Sequence, residues 1–191
     1  MKKIGIYGGT FDPIHHAHLI LAREALETHG LAEVIFVLAA HSPHKLNLSP
    51  TSAAIRWEML EAAIAEEPSF RASRLELDRP PPSYSIDTLE AIRAAEPESA
   101  LFLLLGEDNL PRLQEWHRFE DLKTMVQFVV LDRSDDQIER PYLTVRRRID
   151  ISATNIRNRV ASGQSIRYLV PGPVERIIRR EKLYLGPDDR T

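Results

Sequence analysis

Apolar residues along the chain follow two alternating rhythms. Short apolar-rich runs at 3–7, 34–40 and 126–131 read as strands, and the unbroken run 101–105 (LFLLL) as one covered on both faces. Residues 70–77 alternate, and 143–149 predict one further strand. Between these runs the apolar positions recur at helical spacing. In 16–28 they fall at 19, 20, 22, 25 and 26, and Gly30 then stops the helix. Further helices are predicted over 53–65, 86–95, 154–160 and 174–181, with a short one closing at 122–125. Pro80, Pro81 and Pro82 make a rigid loop, 132–141 reads as a polar surface loop, and 186–191 as a loose tail. Strands alternating with helices imply an α/β fold. The expectation is a Rossmann-like, doubly wound parallel sheet with helices on both faces and a C-terminal helical segment. One domain over 1–191 is expected, with a sheet core in 1–150 and a helical part in 151–185.

Composition narrows the chemistry. The 191 residues carry a net charge of −3, 43% apolar and 28% charged residues, and no cysteine. Disulfides and thiolate metal sites are thereby excluded. No apolar run reaches the ~18 residues of a membrane span, and MKKIGIYGG is too short in its apolar part for a signal peptide. A cytoplasmic protein with no membrane partner is the expectation. The run Arg146, Arg147, Arg148 lacks interleaved aromatics and sits in an acidic chain, so no nucleic-acid partner is expected.

The first strand runs into GGTFDPIHHAH at 8–18, and in such sheets ligands bind where strands end. Gly8 and Gly9 let the main chain approach a ligand closely. Neither the dinucleotide GxGxxG spacing nor the GK[ST] of a P-loop is present. Pro13 sets the chain before the helix. His15 and His18, three apart, share a face of its first turn, whose free N–H groups attract anions. Thr10 and Phe11 lie in the same loop; His16 reads as a surface residue. Five histidines (15, 16, 18, 41, 44) fall within a short span, but no HExxH-like carboxylate accompanies them, so no protein-held metal is expected. Downstream, DISATNIRNRV at 150–160 predicts a second helix N-terminus capped by Ser152, with Thr154 in its first turn and Arg157 about a turn in. HSPHK supplies Lys45 for a phosphate, and PSYSIDTL opens a helix with the hydroxyls of Ser85 and Thr88. GEDNLPRLQEWH places Gly106 and Asp108 at a strand end, where the carboxylate suits a ribose hydroxyl, and adds the flat face of Trp116.

GGTFDPxHxAH resembles the signature of the HxGH nucleotidyltransferase superfamily, with Ala17 where glycine is commonest, and ISATNIR resembles its ISxTxIR motif. Class I aminoacyl-tRNA synthetases pair the first motif with KMSKS, which is absent here. With PSYSIDTL, GEDNLPRLQEWH and RYLVPGPVERIIRREKLY (167–184), the chain resembles the bacterial nicotinate mononucleotide adenylyltransferases over nearly its whole length. The resemblance implies transfer of the adenylyl group of ATP, with Mg²⁺, to nicotinate mononucleotide, giving deamido-NAD and pyrophosphate. It implies that His18, His15 and Arg157 are catalytic. ATP would lie on Gly8, Gly9, Thr10, Phe11, His15, His18, Gly106, Asp108, Ser152, Thr154 and Arg157. The acceptor would meet Lys45, Ser85, Thr88, Trp116 and His117: its ring on Trp116, its carboxylate on main-chain N–H groups near Ser85 and His117. Departures from the pattern are His117 for an aromatic tyrosine, Pro81 for glycine and Ser85 for threonine. Nicotinamide mononucleotide and phosphopantetheine are the alternative acceptors, an ATP-sensing module without turnover is the non-enzymatic reading, and the oligomeric state is open.

Overall fold

In a computed structural model, residues 1–40, 51–134 and 141–186 are described. Six strands pair in the order β3-β2-β1-β4-β5-β6, every pair parallel. They are β1 (Lys3–Gly9), β2 (Glu33–Leu38), β3 (Phe70–Ser73), β4 (Ala100–Gly106), β5 (Val126–Asp132) and β6 (Leu143–Arg146). The helices are α1 (His16–His29), α2 (Ala53–Ile64), α3 (Ser85–Ala95), α4 (Phe119–Met125), α5 (Ala153–Ala161) and α6 (Gly172–Arg180). The order reverses between β1 and β4, the place where doubly wound sheets hold ligands.

Each strand divides its side chains between two cores, because successive residues point to opposite faces. Phe36, Leu38, Phe102, Leu104, Val129 and Leu131 meet α1, α2, α5 and α6. Ile35, Val37, Leu101, Leu103, Leu105 and Phe128 meet α3 and α4. Burial on both faces explains why the central strands are unbroken apolar runs rather than alternating ones. Ile156, Val174, Ile177 and Ile178 join the first core, so the C-terminal helices cover the same sheet face as α1 and α2.

Three boundaries differ from the sequence reading. The alternating stretch 70–77 yields a strand only to Ser73. β3 pairs along Val34–Val37 of β2, and beyond it Ser73 Oγ accepts the Leu75 N–H while Leu77 N–H turns back to the Arg74 carbonyl at 2.7 Å. β6 likewise stops at Arg146, level with Asp132 where its partner ends, and 147–149 continue outside the ladder. The segment Glu107–Glu115, unassigned from sequence, is a 3₁₀ stretch interrupted by Pro111, with Leu113 buried on the second core. Two X-Pro peptides are cis, Asp12–Pro13 and Pro81–Pro82.

Phe36 is fully buried and touches the rings of Tyr7, Phe11 and Phe70, so it supports the loop after β1 from beneath. Phe36→Ala is expected to destabilise the protein by about 3–5 kcal/mol, the range for deleting a buried aromatic ring. Urea unfolding of the two proteins measures the difference.

Candidate functional site

The loop from Gly8 to His15 leaves the central strand and turns directly into α1. Gly8 is exposed, and a Cβ there would meet nothing within 4 Å. The main chain is thus open on that side. Gly9 has a different reason: a Cβ would lie 2.8 Å from the Phe11 ring. Phe11 is buried with φ +45°, and its ring stands edge-on to His18 at 5.1 Å between centroids.

His15 precedes α1 and His18 lies in its first turn. Their rings stack at 3.6 Å and 20°. The His15 main-chain N–H donates to His18 Nδ1 at 3.2 Å. That bond puts the His18 proton on Nε2, so the ring's outer nitrogen is a donor. His15 itself is only 2% exposed, and its Nδ1 is buried without a hydrogen-bond partner among the described residues. Burial first, then the positive charges of Arg133 and His16, lower its pKa to about 3. His15 is therefore neutral at working pH. His15 is thus a neutral ring lying under His18.

The second helix tip faces the same loop. Ser152 caps α5 by accepting the Asn155 N–H at 3.1 Å. Thr154 Oγ1 accepts from Arg157 Nη2 at 3.1 Å, and Arg157 Nη1 donates to the Asp12 carbonyl at 2.7 Å. A bond across 145 positions of chain thus joins the opening motif to ISATNIR. These two contacts use two of the guanidinium's five donors. Neither α1 nor α5 has an acidic residue in its first turn, and the Arg157–Asp12 bond ties the α5 tip to the loop before α1. Beside it lies a cleft of about 440 Å³ lined by Glu107, Arg133, Ser134, Arg148, Asp150 and Ser152, among others. Arg133 donates its main-chain N–H to Glu107 at 3.3 Å. Arg147 of the triple-arginine run pairs instead with Glu24 at 3.2 Å.

At the end of β4, the Asp108 carboxylate lies close over Gly106, where a Cβ would displace it. Asp108 is exposed, as a ribose contact would need. The residues expected at the acceptor lie on α3 and in the chain after Glu115. Tyr84, preceding α3, stacks on His117 at 4.3 Å, which sets Ser85 beside His117. Trp116 is half-buried, one side packed on the second core. Thr88 points inward: it is 3% exposed and donates to Glu76 at 3.2 Å. Its hydroxyl is thus committed to the protein. Burial raises the Glu76 pKa. Lys45, His41 and His44 lie outside the described residues. Among the described residues no group of three histidine or acidic side chains could hold a metal.

Two residues escaped the sequence reading. Arg56 is 1% exposed, and its guanidinium serves four carbonyls: Thr10, Ala39, Ala40 and Thr51, at 2.8–3.2 Å. The signal was there, since 56, 59, 60 and 64 form the buried stripe of α2, and an arginine on an apolar stripe must meet a dense set of acceptors. Tyr184, far from any motif, donates its hydroxyl to Asp12 at 2.5 Å.

Known proteins bear on this geometry. The cytidylyltransferase-like family matches residues 6–159. A probable nicotinate-nucleotide adenylyltransferase of Thermus thermophilus is 42% identical over 186 residues, covering 95% of this chain and 99% of its own. The nicotinate-nucleotide adenylyltransferase of Bacillus subtilis is 37% identical over 187 residues, covering 96% and 99%. This chain belongs to the nicotinate-nucleotide adenylyltransferases of the cytidylyltransferase-like family. A solved Plasmodium falciparum nicotinic acid mononucleotide adenylyltransferase, complexed with NaAD, superimposes with a TM-score of 0.81 at 20% identity, covering 96% of this chain and 98% of that one, which shows the fold. No described helix is long and apolar enough to cross a membrane.

The pKa of His15 generates a pH dependence with a definite sign. Its folded value lies below the ordinary 6.5. Above 6.5 both folded and unfolded chains hold it neutral. As pH falls from 6.5 toward 3, only the unfolded chain takes up the proton, so stability is lost. The loss attributable to His15 is up to about 1.4 kcal/mol per pH unit and about 5 kcal/mol in full. His15→Gln is expected to flatten that part of the profile, as read by denaturant unfolding at pH 7, 5 and 4. Parallel curves for the two proteins refute the assignment.

Proposed function

We infer that this protein transfers the adenylyl group of ATP to nicotinate mononucleotide, forming deamido-NAD and releasing pyrophosphate. The observation that carries the reading is the bond from Arg157 to the Asp12 carbonyl, which sets two anion-attracting helix tips around one space. The identity to nicotinate-nucleotide adenylyltransferases supports the choice of acceptor.

The 5′-phosphate oxygen of the acceptor attacks the α-phosphorus of ATP. A new P–O bond forms as the bond to the β-phosphate bridging oxygen breaks, and pyrophosphate carries away the electron pair. The attacking phosphate is already an anion, so no side chain need remove a proton. Catalysis consists of alignment and of donors placed where charge grows. His18 Nε2–H serves the α/β-phosphate region, over a neutral His15 that holds its ring. Arg157, Thr154, Ser152 and the first amides of α5 hold the leaving pyrophosphate. Gly8, Gly9, Thr10 and Phe11 bring main chain to the triphosphate, while Gly106 and Asp108 take the ribose. Mg²⁺ neutralises ATP charge when bound. The donor set fits a cation carried by phosphate oxygens and water, because Asp12, the nearest acid of the motif, spends both carboxylate oxygens on Tyr184 and Thr51. The acceptor ring lies against Trp116, and its carboxylate meets main-chain N–H groups at Ser85 and His117. Lys45 contributes a further phosphate contact. Residues 1–191 act as one nucleotidyltransferase unit in the cytoplasm, with these two small molecules as partners and neither nucleic acid nor membrane.

A substrate panel tests the reading directly. Purified protein with ATP and Mg²⁺ is expected to release pyrophosphate fastest with nicotinate mononucleotide, more slowly with its amide, and not with phosphopantetheine. Silence with all three overturns the assignment. His18→Ala should lower kcat by ~10²–10³ while ATP binding changes far less, the scale of losing a preorganised donor. Trp116→Ala should raise KM for the mononucleotide about 10-fold, with a smaller effect on KM for ATP, as expected for one lost ring stack. Steady-state kinetics with each substrate varied separate these outcomes.

A further inference from the structure

We propose that Tyr184 is a positioning residue for this reaction, acting through Asp12 on Arg157 and on the phosphate-facing loop without touching substrate. The inference rests on the adenylyl-transfer reading above. Asp12 is the junction of four parts of the chain. Its Oδ1 accepts the Tyr184 hydroxyl at 2.5 Å, and its Oδ2 accepts the Thr51 N–H at 3.1 Å. Its own carbonyl accepts Arg157 Nη1 at 2.7 Å. Thr51 passes the connection on: its carbonyl accepts Arg56 Nε at 2.9 Å, and Arg56 Nη1 reaches the Thr10 carbonyl at 2.8 Å. One run of hydrogen bonds thus links the C-terminal segment to both helix tips that face the triphosphate.

The chain is shaped to deliver that hydroxyl. After α6, Lys182 and Tyr184 both adopt left-handed backbone conformations, φ +49° and +61°, which side-chain-bearing residues seldom hold. Such conformations persist where the surroundings over-determine them, and they cluster where position matters. The phenol is half-buried, and burial together with the Asp12 carboxylate raises its pKa, so it remains a donor. Without the hydroxyl, Oδ1 loses its partner and the Asp12 turn gains freedom. The Arg157 anchor is that same residue's carbonyl, so the guanidinium loses alignment at the moment charge moves onto pyrophosphate. Misalignment of a group that acts in the transition state lowers kcat more than it weakens ground-state binding.

Tyr184→Phe removes the hydroxyl alone. Its kcat is expected to fall about 10-fold, with KM for both substrates within two-fold of wild type and an unchanged circular dichroism spectrum. Arg157→Lys should cost less when combined with Tyr184→Phe than when made alone, because the two sites act through one connection. As a second route, Tyr184→Phe added to Asp12→Ala should cost nothing further. A Tyr184→Phe kcat within two-fold of wild type overturns the proposal. So does full multiplication of the Tyr184 and Arg157 effects, or a loss confined to melting temperature. Wild-type protein that releases no pyrophosphate from ATP and nicotinate mononucleotide overturns the reaction, and this inference with it. Wild-type turnover alongside an unaffected Tyr184→Phe variant overturns the inference alone.

Discussion

The bond from the Arg157 guanidinium to the Asp12 carbonyl is the contact on which the site depends. Parallel α/β topology delivers one helix tip to the end of β1 without further help. The other tip, that of α5, follows the last strand of the sheet, and β6 stands three places from β1 in the sheet order. Nothing in strand pairing brings that tip back to the centre. A long cationic side chain, reaching from one turn inside α5 to a carbonyl in the opening loop, does. Burial of Ile156 in the first core supplies the matching apolar half of that docking.

Charge is handled with economy around this contact. The helix tips offer partial positive charge from main-chain N–H groups. Full positive charge comes from Arg157, already oriented, while His15 is kept neutral by burial under His18. An imidazolium at that position, stacked at 3.6 Å on the His18 ring, would be a buried charge demanding its own counter-ion. Desolvating His15 avoids this, at the cost of stability in acid. The only carboxylate in the opening motif, Asp12, is held by Tyr184 and Thr51.

Much of this was legible in the sequence, and the limits have physical causes. Strands buried on both faces announce themselves as runs such as LFLLL, and helices between them as 3.6-residue rhythm. The two motifs joined by the Arg157–Asp12 bond were visible because main-chain access, capping and short-range imidazole placement are local properties. The shortened β3 and β6 were not, because ladder length depends on the partner strand. Thr88 misled as a ligand hydroxyl: the helix face that turns inward is decided by Ile86, Leu89 and Ile92, and Glu76 awaited it there. Arg56 and Tyr184 act across tens of residues or more, on carbonyls and a carboxylate whose positions only the folded chain defines.

The departures from the family pattern follow one rule, set by where each side chain points. Ala17 stands in place of glycine and is wholly buried in α1, so its methyl is accommodated within the protein. His117 stands in place of tyrosine, and its ring stacks on Tyr84. Ser85 replaces threonine at the first residue of α3, where an amide is offered by either side chain. A site built largely from peptide N–H groups tolerates such exchanges, because the chemistry lies in backbone placement and the side chains need only preserve it. The positions free of that tolerance are the ones whose side-chain atoms are themselves the contact: His18, Arg157 and, through Asp12, Tyr184.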